Sequence, residues 1–432
     1  MKMKIMSINC GSSSLKFKLF EMPEEKVITE GQFERIGFKE MGTYKIKVNG
    51  EKLETSLLLP DHSVAAEHLL KDLIEKKIIN SLDEIKGVGH RIVQGGKYFK
   101  ESCIVNEWSK ARIEELIDLA PLHNGPHLIG INAFEKALPN VKQVVVFDTA
   151  FHQGMEEEAF MYAVPYYWYS EYGIRKYGAH GTSHQFVANE YARLTGQDIK
   201  KLKIITCHIG NGASLCAVEY GRCKDTSMGL TPLEGVPMGT RTGNIDPTVV
   251  SYICQKENKD AHTVVQELNK KSGYLGVSEI SNDARDLENE YMKGNPKAIL
   301  ALHIQEKRIA DYIASYYVYL NGCDAMVFTA GIGENSETMR KRVCDRLSIL
   351  GVKIDDKLNL DRGHPFRIST PDSKIDVWVI PTNEELVIAR DTLRIISEYS
   401  PKRISMPDSF SNKKIIWNQT ILPIKSNYTN QN

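Results

Sequence analysis

Glycine-rich segments that each carry one arginine are the clearest chemical signal in this 432-residue sequence. Arg91 lies in Gly-His-Arg-Ile-Val-Gln-Gly-Gly, and Arg241 lies in Gly-Thr-Arg-Thr-Gly. A guanidinium among glycines can reach into a cleft with little steric shielding. A pair of them suits two anions brought together, one a carboxylate and one a phosphoryl group. For either arginine alone, a surface salt bridge is the alternative interpretation.

A phosphate-sized turn follows the first apolar run. Residues 9–14 read Asn-Cys-Gly-Ser-Ser-Ser, and residues 15–19 alternate apolar side chains with lysines. We predict a hairpin whose tip donates backbone N–H groups and hydroxyls to phosphate oxygens, with Lys16 adding a point charge. A Gly-Ser turn without a ligand is the alternative. The sequence contains no Gly-x-x-x-x-Gly-Lys-Ser/Thr motif, and residues 331–336 lack the third glycine of a dinucleotide fingerprint.

Carboxylates stand directly after further apolar runs. Asp148 follows residues 144–147, and Glu384 and Glu385 follow Pro-Thr-Asn. At the mouth of a sheet such groups are candidate Mg²⁺ ligands, either direct or through water. The alternatives are a helix N-cap for Asp148 and helix-dipole partners for the glutamates.

Two histidines four residues apart, His180 and His184, have a spacing that can suit a metal. The glycine between them breaks the helix that would align their rings, so we interpret His180 as a donor to a phosphoryl oxygen or as a hydrogen-bonded loop histidine. Thr182 and Gln185 have the spacing of a capping box, and Gly196 can end the helix that this box would start.

Short apolar runs position these groups. Residues 144–147, 204–207, 326–328 and 377–380 each lead into a polar loop followed by helix-like sequence. Runs that are apolar at consecutive positions suit strands covered on both faces, and α/β proteins bind ligands at the carboxyl ends of such strands. The pattern therefore predicts an α/β fold.

The composition excludes several classes of protein. The chain has 55 Lys plus Arg against 55 Asp plus Glu, so its zero net charge argues against nucleic-acid or membrane binding by bulk electrostatics. The N-terminus does not resemble a secretory signal and no run approaches the ~18 apolar residues of a membrane span, which favours a cytoplasmic protein. The 8 cysteines occur singly, without Cys-x-x-Cys, and we expect buried thiols rather than disulfides or a zinc knuckle.

Taken together, nine segments in the same order resemble the acetokinase family, in the superfamily of acetate and sugar kinases, heat-shock chaperones and actin. The resemblance extends from about residue 3 to residue 393. The segments are residues 9–16, 89–96, 120–124, 147–149, 177–184, 208–214, 225–235, 328–336 and 380–385.

The resemblance implies an α/β fold of two duplicated ribonuclease H-like domains, of the actin-like ATPase type, with an interdomain cleft. Residues 1–149 plus 386–397 would form the acyl and phosphate-side domain, residues 150–385 the nucleotide-binding domain, and residues 398–432 a flexible C-terminal extension. The implied reaction is reversible, direct in-line transfer of the ATP γ-phosphoryl group to acetate, giving acetyl phosphate and ADP. Mg²⁺ or Mn²⁺ is the implied cofactor, acetate and ATP are the implied partners, and the family is usually homodimeric.

The resemblance also implies roles for individual residues. The catalytic positions are Asp148, Arg241, His180 and Arg91. The acetate site comprises Arg91, Val93, Leu122 and Pro232. The metal positions are Asn9 and Glu384. The nucleotide positions are Lys16, His208, Ile209, Gly210, Asn211, Gly212, Asp283, Ala284, Arg285, Gly331, Ile332, Gly333, Glu334 and Asn335.

Some residues depart from the family pattern and leave alternatives open. Ala179 replaces a bulky phenylalanine beside the acyl group, Asn244 replaces an aspartate, and Ala284 replaces a larger side chain. A propionate or butyrate kinase of the same superfamily is one alternative, because a methylene is worth only ~1–3 kcal/mol of discrimination. An actin-like or chaperone-like ATPase is another, although the acyl-site residues would have no role there.

Overall fold

A computed structural model describes residues 2–120 and 123–398, and its strands form two mixed sheets. The predicted acetate-site residue Leu122 and the predicted extension beyond residue 398 lie outside the described residues. The first sheet comprises β1 (Met3–Cys10), β2 (Ser14–Met22), β3 (Lys26–Glu34), β4 (Gly42–Val48), β5 (Glu51–Leu57), β6 (Ile85–Ile92), β7 (Cys103–Ile104) and β8 (Lys142–Phe147). The second comprises β9 (Lys203–Ile209), β10 (Ala213–Glu219), β11 (Arg222–Thr226), β12 (Ala325–Thr329), β13 (Phe366–Arg367) and β14 (Asp376–Val379).

Both sheets repeat one topology. The first has the order β5-β4-β3-β2-β1-β6-β8-β7, and the second has the order β11-β10-β9-β12-β14-β13. In the first sheet β3, β2 and β1 pair antiparallel, whereas β1, β6 and β8 pair parallel. In the second sheet β11, β10 and β9 pair antiparallel, whereas β9, β12 and β14 pair parallel. This repeat confirms the predicted duplicated α/β fold, and residues 1–396 together form one compact unit.

The helices connect and cover these strands. The described α-helices are α1 (His62–Glu75), α2 (Glu107–Glu115), α3 (Asn124–Ala137), α4 (Glu157–Phe160), α5 (Tyr166–Tyr172), α6 (Gly181–Thr195), α7 (Thr248–Glu257), α8 (Ala261–Lys270), α9 (Gly273–Ser278), α10 (Ala284–Met292), α11 (Pro296–Tyr319), α12 (Ala330–Asn335), α13 (Glu337–Arg346) and α14 (Glu384–Glu398). In the part of the chain that the structure describes, every helix is too short or too polar to cross a bilayer.

Two helices join the sheets to each other. One hydrophobic cluster contains Ile5 of β1, Val187 of α6, Ile204 of β9 and Val387 of α14. The four apolar runs predicted as strands fall on β8, β9, β12 and β14, and the first three of these strands are almost wholly buried. Because α6 and α14 pack against residues of both sheets, the polar groups at their N-termini are held near both sets of strand ends.

The start of α6 differs from the sequence prediction. We expected a capping box of Thr182 and Gln185, and this prediction is wrong. His180 is the N-cap residue, with φ of 56° and no side-chain capping bond. The Thr182 hydroxyl instead donates to Oε2 of Glu384 at 2.9 Å. The predicted helix end is confirmed, since Gly196 is the C-cap with φ of 66°.

Candidate active site

Arg91 and Asp148 form a bidentate ion pair at the carboxyl ends of two neighbouring parallel strands, β6 and β8. Arg91 Nε donates to Asp148 Oδ1 at 3.0 Å, and Nη2 donates to Oδ2 at 2.6 Å. The backbone holds the aspartate from both sides, because the Asp148 N–H donates to Ile92 O and the Gly181 N–H donates to Asp148 O, each at 2.9 Å. The two predicted catalytic residues are therefore fixed to each other and to the start of α6.

Glu384, the first residue of α14, adds a second carboxylate to this pair. Its Oε2 lies 4.0 Å from Arg91 Nε and accepts the bond from Thr182. Burial raises the pKa of Asp148 above its ordinary value despite the opposing charge of Arg91. Burial would also raise the pKa of Glu384, but the charges of Arg91 and His208 hold it below its ordinary value. Glu384 is therefore ionised at neutral pH.

His180 and His208 stack face to face beside these carboxylates. Their ring centroids are 4.0 Å apart with an interplanar angle of 20°. His180 Nδ1 lies 2.8 Å from Ser214 Oγ, and His208 Nδ1 lies 2.8 Å from Ser183 Oγ. Burial, followed by the charge of His208, holds the pKa of His180 well below its ordinary value, so the ring is neutral. When Ser214 donates to Nδ1, the ring proton sits on Nε2 and can be donated to a ligand.

His180 and His184 do not face a common metal position, although their spacing resembles one. Their centroids are 6.5 Å apart, and each ring has one nitrogen 2.8 Å from Ser214 Oγ. His184 Nδ1 lies 2.7 Å from Thr206 Oγ1, so both nitrogens of this ring contact hydroxyls. The two histidines therefore share a hydroxyl partner, and His184 fastens α6 to β9 and β10 of the second sheet.

Arg241 differs from Arg91 in its surroundings. Its Nη1 donates to Pro232 O at 3.3 Å and contacts Met238 Sδ at 3.7 Å. Burial alone lowers its pKa, with no contribution from a carboxylate among the described residues. A Cβ atom built on Gly212 would lie 3.2 Å from His180 Nε2 and 3.8 Å from Arg241 Nη1. A half-buried guanidinium without a carboxylate is costly unless an anion binds it.

His123 belongs to the same cluster, and the sequence analysis assigned it no role. Burial, followed by the charges of Arg91 and Arg241, lowers its pKa to about 4. The side-chain amide of the neighbouring Asn124 accepts from the Gln94 N–H at 3.1 Å and donates to Gln94 O at 2.9 Å, which fixes the loop after β6 on α3. The useful signal was its position in the matching segment 120–124, but only the fold shows that the charges of both arginines contribute to its lowered pKa.

The predicted phosphate hairpin is confirmed as a structural element. Asn9 of β1 and Lys16 of β2 lie directly opposite each other in the antiparallel register. The Gly11 N–H closes the tip on Ser14 O at 2.8 Å, and His62 Nε2 lies 2.9 Å from Gly11 O. Lys16 is exposed and contributes to the low pKa of Glu384, which places its charge toward the same cluster.

The predicted nucleotide segments meet at the strand ends of the second sheet. Residues 208 and 209 end β9, and residues 210–212 form the turn to β10, in which the Gly210 N–H donates to Gly212 O at 3.0 Å. A Cβ atom on Gly210 would lie 3.8 Å from the Gly331 N atom, so this turn approaches the start of α12. Ile209 is fully buried, so its side chain packs in the core of the second sheet.

Two acidic residues organise the remaining nucleotide segments. Asp283 caps α10 by accepting from the Arg285 N–H at 2.9 Å, and it also pairs with the exposed Arg285 side chain. Glu334 Oε1 accepts from the Ala330 N–H at 2.8 Å and from the Thr382 N–H at 3.2 Å. Glu334 therefore ties together the loops after β12 and β14, a structural task in addition to any ligand contact.

Comparison with known proteins identifies the family of this chain. A sequence model described as the acetokinase family matches residues 4–390. The chain belongs to the acetokinase family. The acetate kinase of Aster yellows witches'-broom phytoplasma (strain AYWB) is 57% identical over 393 residues, which is 91% of this chain and 95% of that protein.

Solved structures of the acetokinase type share its fold. The crystal structure of Porphyromonas gingivalis acetate kinase has 43% identity and a TM-score of 0.87, covering 91% of this chain and 100% of that one. A propionate kinase from Francisella tularensis subsp. tularensis SCHU S4 has 40% identity and a TM-score of 0.86, with the same coverage. The family resemblance and the actin-like ATPase fold expected from the sequence are thus confirmed.

Proposed function

We propose that this chain transfers the γ-phosphoryl group of ATP to acetate, reversibly, giving acetyl phosphate and ADP. The observation that carries the proposal is that two arginines with unlike surroundings both contribute, after burial, to the lowered pKa of His123 and of His180. Arg91 is held by carboxylates and Arg241 has no carboxylate partner among the described residues. One guanidinium is therefore oriented in advance, and the other is available to an anion that arrives with the substrates.

The acetate side needs orientation rather than a base. A small carboxylic acid titrates near ~4.3, so acetate is already an ionised nucleophile at neutral pH. Arg91 would bind its carboxylate, with Val93 and Pro232 beside the methyl group and Leu122 completing the apolar wall. Asp148 holds the Arg91 guanidinium at two atoms, which fixes the direction of approach.

The phosphoryl side needs positive charge, because an anion must approach a polyanion along the line of the leaving oxygen. Arg241 and the Nε2–H of His180 would bind the transferring oxygens. Lys16 and the hairpin tip would bind the phosphate chain. Residues 208–212 would contact the phosphates through backbone groups, and residues 283–285 and 331–335 would flank the adenosine. Donors that are already in place stabilise the charge of the transition state without reorganisation.

Asn9 and Glu384 suit Mg²⁺ or Mn²⁺. Both offer oxygen donors, which hard cations prefer, and Glu384 is held in its ionised form. Such a cation would neutralise charge on the phosphates when bound. The Thr182 hydroxyl keeps the Glu384 carboxylate oriented, so the helix starts of α6 and α14 would act together.

Propionate is a second candidate substrate, because Ala179 is smaller than the residue expected there and a propionate kinase is among the similar structures. We further infer that the protein is cytoplasmic and forms a homodimer. Sedimentation of the purified chain would test whether it is a dimer. An actin-like or chaperone-like ATPase is not favoured by the family assignment.

The test is formation of acyl phosphate trapped as hydroxamate. The full chain would be assayed with ATP and Mg²⁺ against acetate, propionate and butyrate, and then with other phosphoryl donors. We expect the highest kcat/KM with acetate and ATP. A higher kcat/KM with propionate would identify a propionate kinase, and failure with all three acids would refute the proposal.

A further inference from the structure

A buried cluster of His152, Cys216 and Cys223 lies outside the proposed transfer site. His152 lies in a 3₁₀ turn, Ala150–Gly154, whereas the cysteines lie on the adjacent strands β10 and β11. All three side chains are at most 2% exposed. Their ligand atoms, one imidazole nitrogen and two sulfurs, all lie within 4.8 Å of one another. The sequence pattern did not reveal this cluster, because the cysteines are seven residues apart and the histidine is remote.

We propose that His152, Cys216 and Cys223 form a Zn²⁺ site. His152 Nδ1 lies 3.1 Å from Cys223 Sγ, and the two sulfurs are 3.4 Å apart. Bonds of about 2.3 Å to sulfur and about 2.0 Å to nitrogen place ligand atoms of a tetrahedral zinc centre at about 3.5 Å from one another. The cluster therefore needs only a small expansion to surround the ion, and one coordination position stays available for a fourth ligand.

The other nitrogen of His152 supports this assignment. His152 Nε2 lies 2.9 Å from the carbonyl oxygen of Ala179, to which it donates. Histidines that bind metals usually donate their second ring N–H to a carbonyl or carboxylate, which fixes the tautomer and leaves the first nitrogen free to coordinate. Because Ala179 directly precedes His180, the cluster is one hydrogen bond away from the proposed transfer site.

The ligand types also suit a divalent ion. Zn²⁺ with two thiolates and a neutral imidazole carries no net charge, so the occupied site would not leave an uncompensated charge in the protein interior.

Cys223 lies on β11, the edge strand of the second sheet. Its neighbour Lys224 pairs with Glu156 and Glu219. Both cysteines belong to the hydrophobic cluster that contains Ile204 and Val387, so an ion would reach the sulfurs when the edge strand opens locally.

Co²⁺ is a suitable spectroscopic probe for this site. The full chain, reduced and freed of metal by a chelator, would be titrated with Co²⁺. We expect one equivalent to produce thiolate-to-cobalt charge-transfer absorption, which Zn²⁺ then removes. Co²⁺ at the oxygen ligands Asn9 and Glu384 would give no such band. In calorimetry with buffers of different ionisation enthalpy, Zn²⁺ binding should release protons, because a thiol must ionise to bind the metal.

Matched variants locate the ligands. C216S and C223S should each weaken binding by more than about 100-fold, the upper range for loss of a supporting contact. C103S, which changes a strand cysteine of the first sheet, should leave the titration unchanged. Circular dichroism would verify the fold of each variant. Absence of the band in the wild-type chain would overturn the proposal, and so would its persistence in folded C216S or C223S. A thiol count before the titration would show whether Cys216 and Cys223 had formed a disulfide. If the reduced chain, with both thiols restored, still took up no metal, the proposal would also be overturned.

Discussion

At the scale of single residues, the two arginines of the site have opposite electrostatic settings. Arg91 is bonded at two atoms to Asp148 and lies 4.0 Å from Glu384. Within the described part of the chain, the Arg241 guanidinium donates only to a carbonyl oxygen and to a thioether sulfur. The first arrangement fixes a guanidinium in space, and the second leaves its charge for a ligand. We therefore expect the two arginines to contribute to different steps, Arg91 to acetate orientation and Arg241 to phosphoryl transfer.

Replacing Arg241 tests the second role. We expect R241A to lower kcat by about 10²–10³-fold, the usual loss when a donor to developing charge is removed. R241K should recover only part of the rate, because an ammonium lacks the planar guanidinium fork. Steady-state kinetics with acetate and ATP would measure both. R308A, which removes an exposed arginine of α11, is the control. An R241A enzyme with unchanged kcat and a raised KM alone would contradict the assignment.

Replacing Asp148 tests how the carboxylates share their task. D148N removes one negative charge beside Glu384 while keeping the shape of the side chain. We expect the Mg²⁺ concentration for half-maximal activity to rise, because a site with one carboxylate attracts a divalent cation less strongly than a site with two. Activity should recover with added Mg²⁺. Recovery on raising the pH, without recovery on adding Mg²⁺, would instead show that Asp148 acts as a base.

At the scale of elements, the site depends on the junction between β8 and α6. The Gly181 N–H donates to Asp148 O, and a Cβ atom at Gly181 would lie only 2.2 Å from that oxygen. The same junction carries His180 in the left-handed region and Thr182 against Glu384. One short segment therefore sets the positions of an aspartate, a histidine and a glutamate that come from three parts of the chain.

The substitution G181A should disturb this junction. The new methyl group cannot fit against the Asp148 carbonyl, so the backbone must separate and the hydrogen bond is lost. We expect the free energy of unfolding to fall by about 1–3 kcal/mol, and kcat to fall because Asp148 and Arg91 move. Urea denaturation and kinetics would measure the two effects. The control is G125A in α3, where a Cβ atom meets nothing within 4 Å; equal effects of the two variants would contradict the argument.

At the scale of the whole molecule, two sheets of the same topology position different substrate-binding residues. The first sheet supplies the hairpin tip, Arg91 and Asp148, whereas the second supplies the turn at 208–212 and α12. When residues near both sheets bind the same phosphate chain, the bound nucleotide favours the conformation in which both sets of residues contact it. We therefore expect bound substrates to draw the two halves together and exclude water from the phosphoryl group.

Small-angle scattering would detect this closure. With ADP, acetate and a planar phosphoryl mimic, we expect a smaller radius of gyration than for the free chain. R241A is an internal control, because it should reduce the compaction by weakening the contact to the mimic. An unchanged radius in the wild-type chain, at ligand concentrations that calorimetry shows to be saturating, would argue against closure.

Shortening the chain tests where the catalytic unit ends. The family match ends at residue 390 and α14 ends at Glu398. Deletion of residues 399–432 should therefore leave kcat/KM for acetate unchanged. A large loss of kcat/KM in a truncated chain with a native circular dichroism spectrum would show that the final residues contribute to the site.

The sequence by itself determined the local parts of this protein. The Asn-Cys-Gly-Ser-Ser-Ser hairpin, the four apolar strands and the glycine loop around Arg241 were predicted from adjacent residues. Arg91, by contrast, lies in strand β6 and not in a loop. Strand alternation, turn chemistry and continuous apolar runs depend on short stretches of chain, so these patterns can be recognised without knowledge of the fold. The order of the nine segments added the family.

The tertiary structure decided which side chains meet. Thr182 has the spacing of a cap, yet its hydroxyl bonds to Glu384, 202 residues away. The charges of Arg91 and Arg241 both contribute to the lowered pKa of His123, and His152 meets Cys216 and Cys223 in a buried cluster. These pairings follow from strand register and from helices packed against both sheets, so they depend on the whole fold. Thr182 thus orients a carboxylate instead of capping a helix, and His123 is a candidate site residue. The separated His152, Cys216 and Cys223 form a candidate metal centre, because folding buries these distant groups together.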